Sequence, residues 1–218
     1  TNVVGSQNVI DASIDEGVKK VVALSTDKAS SPINLYGATK LTADKLFIAG
    51  NNYAHAQDTR LAVVRYGNVM GSRGSVVPFF RQKMAAGEPL PITDERMTRF
   101  WITLDQAVAF VVDSFDRMNG GELYVPRIPS MKLTDLIEAI APGYPTVTLG
   151  IRPGEKLHEE MISPDDSHRT FRQDDRYVVT PTIADWGFTP VEGEQVPVGF
   201  SYRSDTNDLW LTQAELRT

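Results

Sequence analysis

Residues 23–40 read "ALSTDKASSPINLYGATK", directly after the apolar run "VKKVVALS" of residues 18–25. Short β-branched apolar runs of this kind are buried strands, typically of a parallel sheet. The tail of the quotation opens a helical pattern from about Leu35 to Gly50, with Asn34 as a candidate N-cap. Hydroxyl and ionisable groups are therefore gathered where a strand ends and a helix begins. In an open α/β sheet, ligands bind at the carboxyl ends of strands. "STDK" stands at such an end.

The pattern extends in both directions. Val4, Val9, Ile10 and Ile14 recur at helical spacing up to about Glu16, and Gly17 is a plausible helix stop. "TRLAVVRYGNV" at 59–69 is the next strand. Helix, strand, helix, strand predicts a parallel α/β sheet. "GSRGSVVPFF" at 71–80 reads as a loop opening into a helix, with Pro78 early in it. Residues 103–118 form another helical pattern, for which Thr103 and Gln106 are a candidate capping box. "GGELYVP" at 120–126 reads as a strand, and "MKLTDLIEAIA" at 131–141 as a helix. "TVTLGIRPGEKLHEEMI" at 146–162 reads as strand, turn and helix. Beyond Ser163 the chain looks polar and irregular until a short helix near residues 209–216. The chain opens without Met and inside a helical pattern, so it is expected to be a fragment.

Composition narrows the function. The 218 residues are 41% apolar and 23% charged, with formal net charge −6. That balance opposes sequence-independent nucleic-acid binding, which needs a basic face. There is no cysteine, hence no disulfide or thiolate metal site, as fits a reducing cytoplasm. No apolar run reaches membrane-span length. His55, His158 and His168 lack metal-ligand spacing, so no metal site is expected. Asp165–Asp166 and Asp174–Asp175 are expected to be solvated, and Trp101, Trp186 and Trp210 to be packing residues.

Tyr36 precedes Lys40 by four positions, which places phenol and ammonium on one helix face. A nearby ammonium favours a phenolate. Such a tyrosine can take an alcohol proton while hydride leaves the same carbon, and a hydroxyl at Thr26 could bond the same oxygen. With 7 tyrosines in the chain, a Tyr-x-x-x-Lys match arises by chance in roughly one such chain in four, so the pair alone is weak. Its position behind a Ser-Thr strand end gives it weight.

"YGATK" behind "LSTDK" resembles the extended short-chain dehydrogenase/reductases that act on nucleotide sugars. "RYGNVMGSRGSVVPFF" and "ITDERMTRFWITLDQAV" are similar to the inverting UDP-N-acetylglucosamine 4,6-dehydratases at the start of pseudaminic acid synthesis. The resemblance implies a Rossmann-type doubly wound parallel sheet with a smaller α/β lobe, bound NADP, and UDP-N-acetylglucosamine as substrate. It also implies a homo-oligomer, without nucleic acid or membrane as partner. The family's glycine-rich loop has no counterpart here, since no G-x-G-x-x-G occurs, and the chain alone is expected to be inactive.

By the same resemblance, Asp27 is the acid at C6 and Lys28 the base at C5. Tyr36 and Lys40 serve the C4 oxidation and contact the cofactor with Ser25 and Val69. Tyr36 stands where membrane-associated retaining relatives carry Met. Asn68, Arg99, Arg152 and Glu155 match residues that hold the nucleotide sugar; Arg73 is expected to be a loop residue, with a role in the catalytic cleft as the alternative. The expected division is 1–70 plus about 100–125 for the dinucleotide-binding part, and about 71–99 plus 126–218 for the sugar-nucleotide lobe. A retaining dehydratase, a 4-epimerase, a non-catalytic sugar-nucleotide-binding module and an inert truncation stay open as alternatives.

Overall fold

The computed structural model describes residues 1–71 and 76–217. In chain order the elements are α1 (Val4–Asp15), β1 (Lys20–Thr26), α2 (Leu35–Ala54), β2 (Arg60–Tyr66), β3 (Asn68–Val69), α3 (Val76–Ala85), β4 (Leu90–Ile92), β5 (Thr98–Ile102) and α4 (Leu104–Arg117). There follow β6 (Leu123–Pro126), β7 (Ser130–Lys132), α5 (Leu133–Ile140), β8 (Thr146–Thr148), β9 (Glu160–Ile162), β10 (Thr170–Arg172), β11 (Arg176–Val179), β12 (Glu194–Gln195), β13 (Tyr202–Arg203) and α6 (Gln213–Leu216). Two compact units result: residues 1–66, 108–127 and 160–202, and residues 67–107, 128–159 and 203–218.

The first unit is built on a six-stranded sheet ordered β1-β2-β6-β11-β10-β12. β1 and β2 run parallel from Lys20↔Arg60 to Thr26↔Tyr66, and β6 continues the parallel set beside β2. β11 and β10 then add antiparallel strands. Every residue from Leu61 to Arg65 is buried, as a parallel strand covered on both faces requires. Ala62, Val64, Tyr124 and Val178 of the sheet close on Phe110 of α4 and on Met118. On the α2 side, Asn51 is buried and bonds both backbone groups of Leu61 at 2.9–3.0 Å, which pins α2 to β2.

The second unit begins at Gly67, where the chain leaves that sheet. A Cβ on Gly67 would lie 2.6 Å from the Cβ of Phe100, so only glycine allows this approach. β3 and β5 pair in parallel, β5 and β7 antiparallel, and β4 pairs with β8. Phe80, Leu90, Trp101, Met131 and Leu136 form the centre of its core.

Several expectations need correction. Residues 160–202 pack with the N-terminal sheet, not with the lobe, because β10 and β11 extend that sheet. Residues 100–107 fall in the second unit. Residues 157–162 form no helix: Glu160–Ile162 is a strand, and Glu159 and Met161 are buried. The stretch after Ser163 holds four short strands, β10 to β13, whose two to four residues are too few to show alternation. Of the acidic pairs expected to be solvated, Asp165, Asp174 and Asp175 are exposed, Asp175 also pairing with Arg176, whereas Asp166 is half-buried and pairs with Arg169. The capping box on α4 is present, with Thr103 N donating to Gln106 and Gln106 N to Thr103.

Candidate active site

β1 ends at Thr26, and the chain turns at once into a 3-10 turn, Asp27–Ala29. Thr26 Oγ1 caps that turn, accepting from Lys28 N at 3.4 Å. Its proton goes to Asp27 Oδ1 at 2.7 Å, so the hydroxyl orients Asp27 where the expectation had it on a substrate oxygen. Asp27 is 1% exposed. The Lys28 ammonium spans both its carboxylate oxygens, at 3.0 and 3.1 Å, while the lysine side chain stays 37% exposed. The pair is thus a lid of ammonium over a buried carboxylate.

Asn34 caps α2 as expected, its side chain accepting from Gly37 N at 2.8 Å. Tyr36 lies in the first turn and is 51% exposed, open to a ligand. Lys40, one turn on, donates its ammonium to the Leu24 carbonyl at 2.7 Å, which ties α2 to the strand end. These fixed polar groups at the carboxyl end of a parallel strand, with an accessible phenol among them, fit a nicotinamide and its ribose. Ser25 differs from expectation. It is 6% exposed and its hydroxyl donates to Asp44 Oδ2 at 2.8 Å, so it faces the interior.

Behind this surface lies a pair that the motifs did not reveal. Asp44 Oδ2 also accepts from Arg65 Nη2 at 2.8 Å, with both side chains buried. Arg65 Nη1 donates to the Met161 carbonyl. The available signal was helical spacing, since Asp44 stands one turn after Lys40 on α2. Beside it, burial first and then the Arg169 cation lower the pKa of Lys45. On Asp166, burial pushes the carboxyl up, but the charges of Arg169, Lys45 and Arg65 and the hydrogen bond from Arg169 together outweigh it and hold the pKa below the ordinary value.

The second unit contains a cavity of about 490 Å³ lined by Asn68, Val69, Arg99, Trp101, Arg152 and Glu155, among others. All four residues expected to hold a nucleotide sugar are brought together, although 84 positions separate Asn68 from Arg152. Val69, expected at the cofactor, lines this cavity too. Arg99 is fixed by donation to the carbonyls of Thr98, Leu157 and Lys156 at 2.7–3.2 Å. Its nearest carboxylates, Glu159 and Glu155, stand at 3.5 and 3.7 Å. Asn68 Oδ1 and Glu155 Oε2 are buried acceptors without a hydrogen-bond partner. Buried polar atoms are normally satisfied, so these two have the character of ligand contacts. Phe79 of α3 also borders the cavity. Arg73 lies outside the described residues. Among those described, no cluster of His or acidic side chains could hold a metal ion.

A parallel sheet with a Thr-Asp-Lys strand end and a Tyr-x-x-x-Lys helix defines an extended short-chain dehydrogenase/reductase. Residues 1–181 match the family described as polysaccharide biosynthesis protein. The UDP-N-acetylglucosamine 4,6-dehydratase (inverting) of Campylobacter jejuni is 55% identical over 225 residues, covering 99% of this chain and 67% of the relative. The chain belongs to the polysaccharide biosynthesis family and, within it, to the nucleotide-sugar 4,6-dehydratases, which are hydro-lyases. The UDP-glucose 4-epimerase of Rickettsia canadensis is 37% identical, covering 89% of this chain and 59% of that one. Among solved structures, Pen from Bacillus thuringiensis superposes with a TM-score of 0.87 at 36% identity, over 100% of this chain and 66% of its own. DesIV, a dTDP-glucose 4,6-dehydratase from Streptomyces venezuelae, shares the fold at a TM-score of 0.64 and 22% identity, over 72% of this chain and 55% of its own. The chain spans about two thirds of the length of the C. jejuni and B. thuringiensis proteins.

Proposed function

We propose that the protein carrying this chain is an NADP-dependent UDP-N-acetylglucosamine 4,6-dehydratase that inverts C5. Its product would be a UDP-4-keto-6-deoxy-L-arabino sugar, the first intermediate toward pseudaminic acid and flagellin glycosylation. The observation that carries this reading is the Asp27–Lys28 pair at the end of β1, next to the helix that bears Tyr36 and Lys40. The 55% identity to a C. jejuni protein named for this reaction supports it.

Bound nicotinamide would supply the hydride acceptor at C4 and the hydride donor at C6, after which C5 takes a solvent-derived proton on the face opposite the one that lost it, which inverts that carbon. Tyr36 takes the C4 hydroxyl proton as the ketone forms. Lys40, anchored on the Leu24 carbonyl, supplies positive charge one helical turn from that phenol. The new ketone acidifies the C5 proton. Asp27 and Lys28 then act as one unit. Moving one proton across the 3.0 Å bond from Nζ to the carboxylate turns the ion pair into a neutral amine and a carboxylic acid. The amine removes the proton at C5, and the acid protonates the C6 hydroxyl, which departs as water. Lys28 is then an ammonium and Asp27 a carboxylate again, so the pair is restored.

Arg99 and Arg152 would hold the diphosphate, Asn68 the adjoining sugar-phosphate oxygens and Glu155 the uridine ribose. A 4-epimerase has no water to remove and no use for Asp27 and Lys28, which weighs against that reading. The resemblance also favours a homo-oligomer in the cytoplasm. Among the described residues, no helix is long and apolar enough to cross a membrane.

The test is proton NMR of the product made from UDP-N-acetylglucosamine in deuterated water by the complete natural protein. A C6 methyl group, deuterium at C5 and the L-arabino configuration are expected. Lys28→Ala should abolish that product while UDP binding persists. Recovery of a C4 epimer, or unchanged dehydration by Lys28→Ala, refutes the assignment.

A further inference from the structure

Gly37 directly follows Tyr36, and a Cβ built on it would fall 2.2 Å from the Lys28 carbonyl oxygen and 3.0 Å from Pro32 Cβ. The obstacle is backbone, which cannot rotate aside as a side-chain end can. Gly50, further along the same helix, differs: its Cβ would meet Leu61 Cδ1 at 2.6 Å, a mobile terminus.

From this we infer that Gly37 is a positioning residue that sets the spacing between the group that oxidises the alcohol and the pair that eliminates water. Peptide bonds join it to Tyr36. Across a contact that only glycine permits, it seats the backbone of Lys28 on the first turn of α2. The inference rests on the roles given above to Tyr36, Asp27 and Lys28, and deepens that reading.

The segment from Asp27 to Ser31 has little slack. Ser30 N closes the turn on the Asp27 carbonyl at 3.2 Å. Ser30 and Ser31 both donate their hydroxyls to Glu160 Oε1, at 2.8 and 2.5 Å. Ser31 holds φ at +39°, a left-handed backbone that a non-glycine residue adopts only under constraint. Glu160 thus tethers the segment while Gly37 abuts it. A methyl group on Gly37 must drive Lys28 away from Tyr36 by about 1 Å to reach ordinary contact distance, and a 1 Å misplacement of a reacting group costs on the order of 100-fold in rate.

The test compares Gly37→Ala with Gly50→Ala in the complete natural protein, using UDP-N-acetylglucosamine as substrate and UDP as binding probe. For Gly37→Ala, kcat should fall about 100-fold while KM and the UDP Kd stay within about 3-fold, because the diphosphate residues are untouched. Deuterium incorporation at C5 should slow in step with kcat. Gly50→Ala should keep kcat within about 3-fold even where its melting temperature falls as far. A Gly37→Ala enzyme with unchanged kcat overturns the inference. So does one that fails to fold while Gly50→Ala folds, since Gly37 would then support the fold and not the spacing. If the unmutated protein yields no dehydrated product, or Lys28→Ala keeps full activity, the functional reading falls and this inference with it. Unchanged Gly37→Ala beside an inactive Lys28→Ala removes the inference alone.

Discussion

Removing the Asp44 carboxylate is expected to damage the first unit more than any loss of a surface charge. Asp44 and Arg65 have side chains only 4% and 3% exposed. One carboxylate oxygen serves both Arg65 Nη2 and Ser25 Oγ, each at 2.8 Å. Asp44→Ala leaves the Arg65 guanidinium buried, bonded to the Met161 carbonyl, with its Nε lacking a partner. Stranding one member of a buried ion pair costs about 3–5 kcal/mol. The orphaned Ser25 hydroxyl adds about 1 kcal/mol, less than its full desolvation penalty because a hydroxyl can rotate toward a carbonyl. The sum of about 4–6 kcal/mol rivals the entire stability of many domains, roughly 5–15 kcal/mol. By contrast, the exposed Lys19–Asp58 pair at 3.4 Å has side chains 67% and 66% exposed. Losing it should cost less than about 1 kcal/mol.

Urea unfolding followed by circular dichroism measures both variants, and a third decides the mechanism. Asp44→Ala combined with Arg65→Met removes both charges and refills the space with an apolar chain, so most of the loss should be recovered. A single-variant cost below about 1.5 kcal/mol would refute the argument, because surface-like values belong to solvated pairs. So would a double variant as unstable as the single one, since the damage would then lie in lost packing and not in the stranded cation.

Three further outcomes are expected. Arg152 is exposed at the cavity and its side chain makes no described bond to the fold, so Arg152→Ala should weaken UDP binding about 10- to 100-fold by calorimetry, with melting nearly unchanged. Arg99→Ala should lose a similar affinity and also lower the melting temperature, because its guanidinium ties together three backbone carbonyls. Arg176→Met should flatten the acid side of the stability–pH curve: a hydrogen bond from Arg176 holds the Asp175 carboxyl below its ordinary value, and bonds from Arg117 and Arg176 outweigh burial at Asp113. Carboxyls depressed in the native state contribute stability that is present above their unfolded value near 3.8 and lost as pH falls through the native one. Melting temperatures measured from pH 7 down to about 3 should therefore converge between wild type and variant, and parallel curves would count against this account.

The stretch from Ser25 to Lys40 was legible because its determinants are local. The apolar run before it, the Thr26 cap, the Asn34 cap and the four-residue spacing of Tyr36 and Lys40 all act within one or two turns of chain. The strands after Ser163 were not, because their stability comes from partners far away. Arg176 opens "RYVV" and is 1% exposed, which no window of sequence suggests; Asp113 and Ser114 of α4, more than sixty positions earlier, accept its donors. "HEEMI" misled in the same way. Its pattern suits a helix, yet Glu160 accepts from Ser30 and Ser31, and Met161 offers its carbonyl to Arg65. Tertiary contacts overrode local propensity there. The gathering of Asn68, Arg99, Arg152 and Glu155 in one cavity followed from resemblance alone, since nothing in spacing joins them.

Arg65, Arg99 and Arg176 show what separates a structural guanidinium from one kept for a ligand. All three lie in strands, and a sequence shows the donor in each case without its acceptor. Arg65 and Arg176 hold carboxylate oxygens at hydrogen-bond distance, 2.8 Å to Asp44 and 2.7 Å to Asp175, so their charge is matched inside the protein. Arg99 is oriented equally firmly, but by neutral carbonyls, with its carboxylates held back at 3.5 and 3.7 Å. Carbonyls fix geometry without cancelling charge. That leaves a guanidinium whose direction is settled by carbonyls and which shares ion pairs with Glu155 and Glu159 without a close hydrogen bond to either, at the wall of a cavity. The diphosphate proposed as ligand of this cavity would offer Arg99 shorter charge-assisted bonds than those two carboxylates make, with its anchors to the carbonyls left in place.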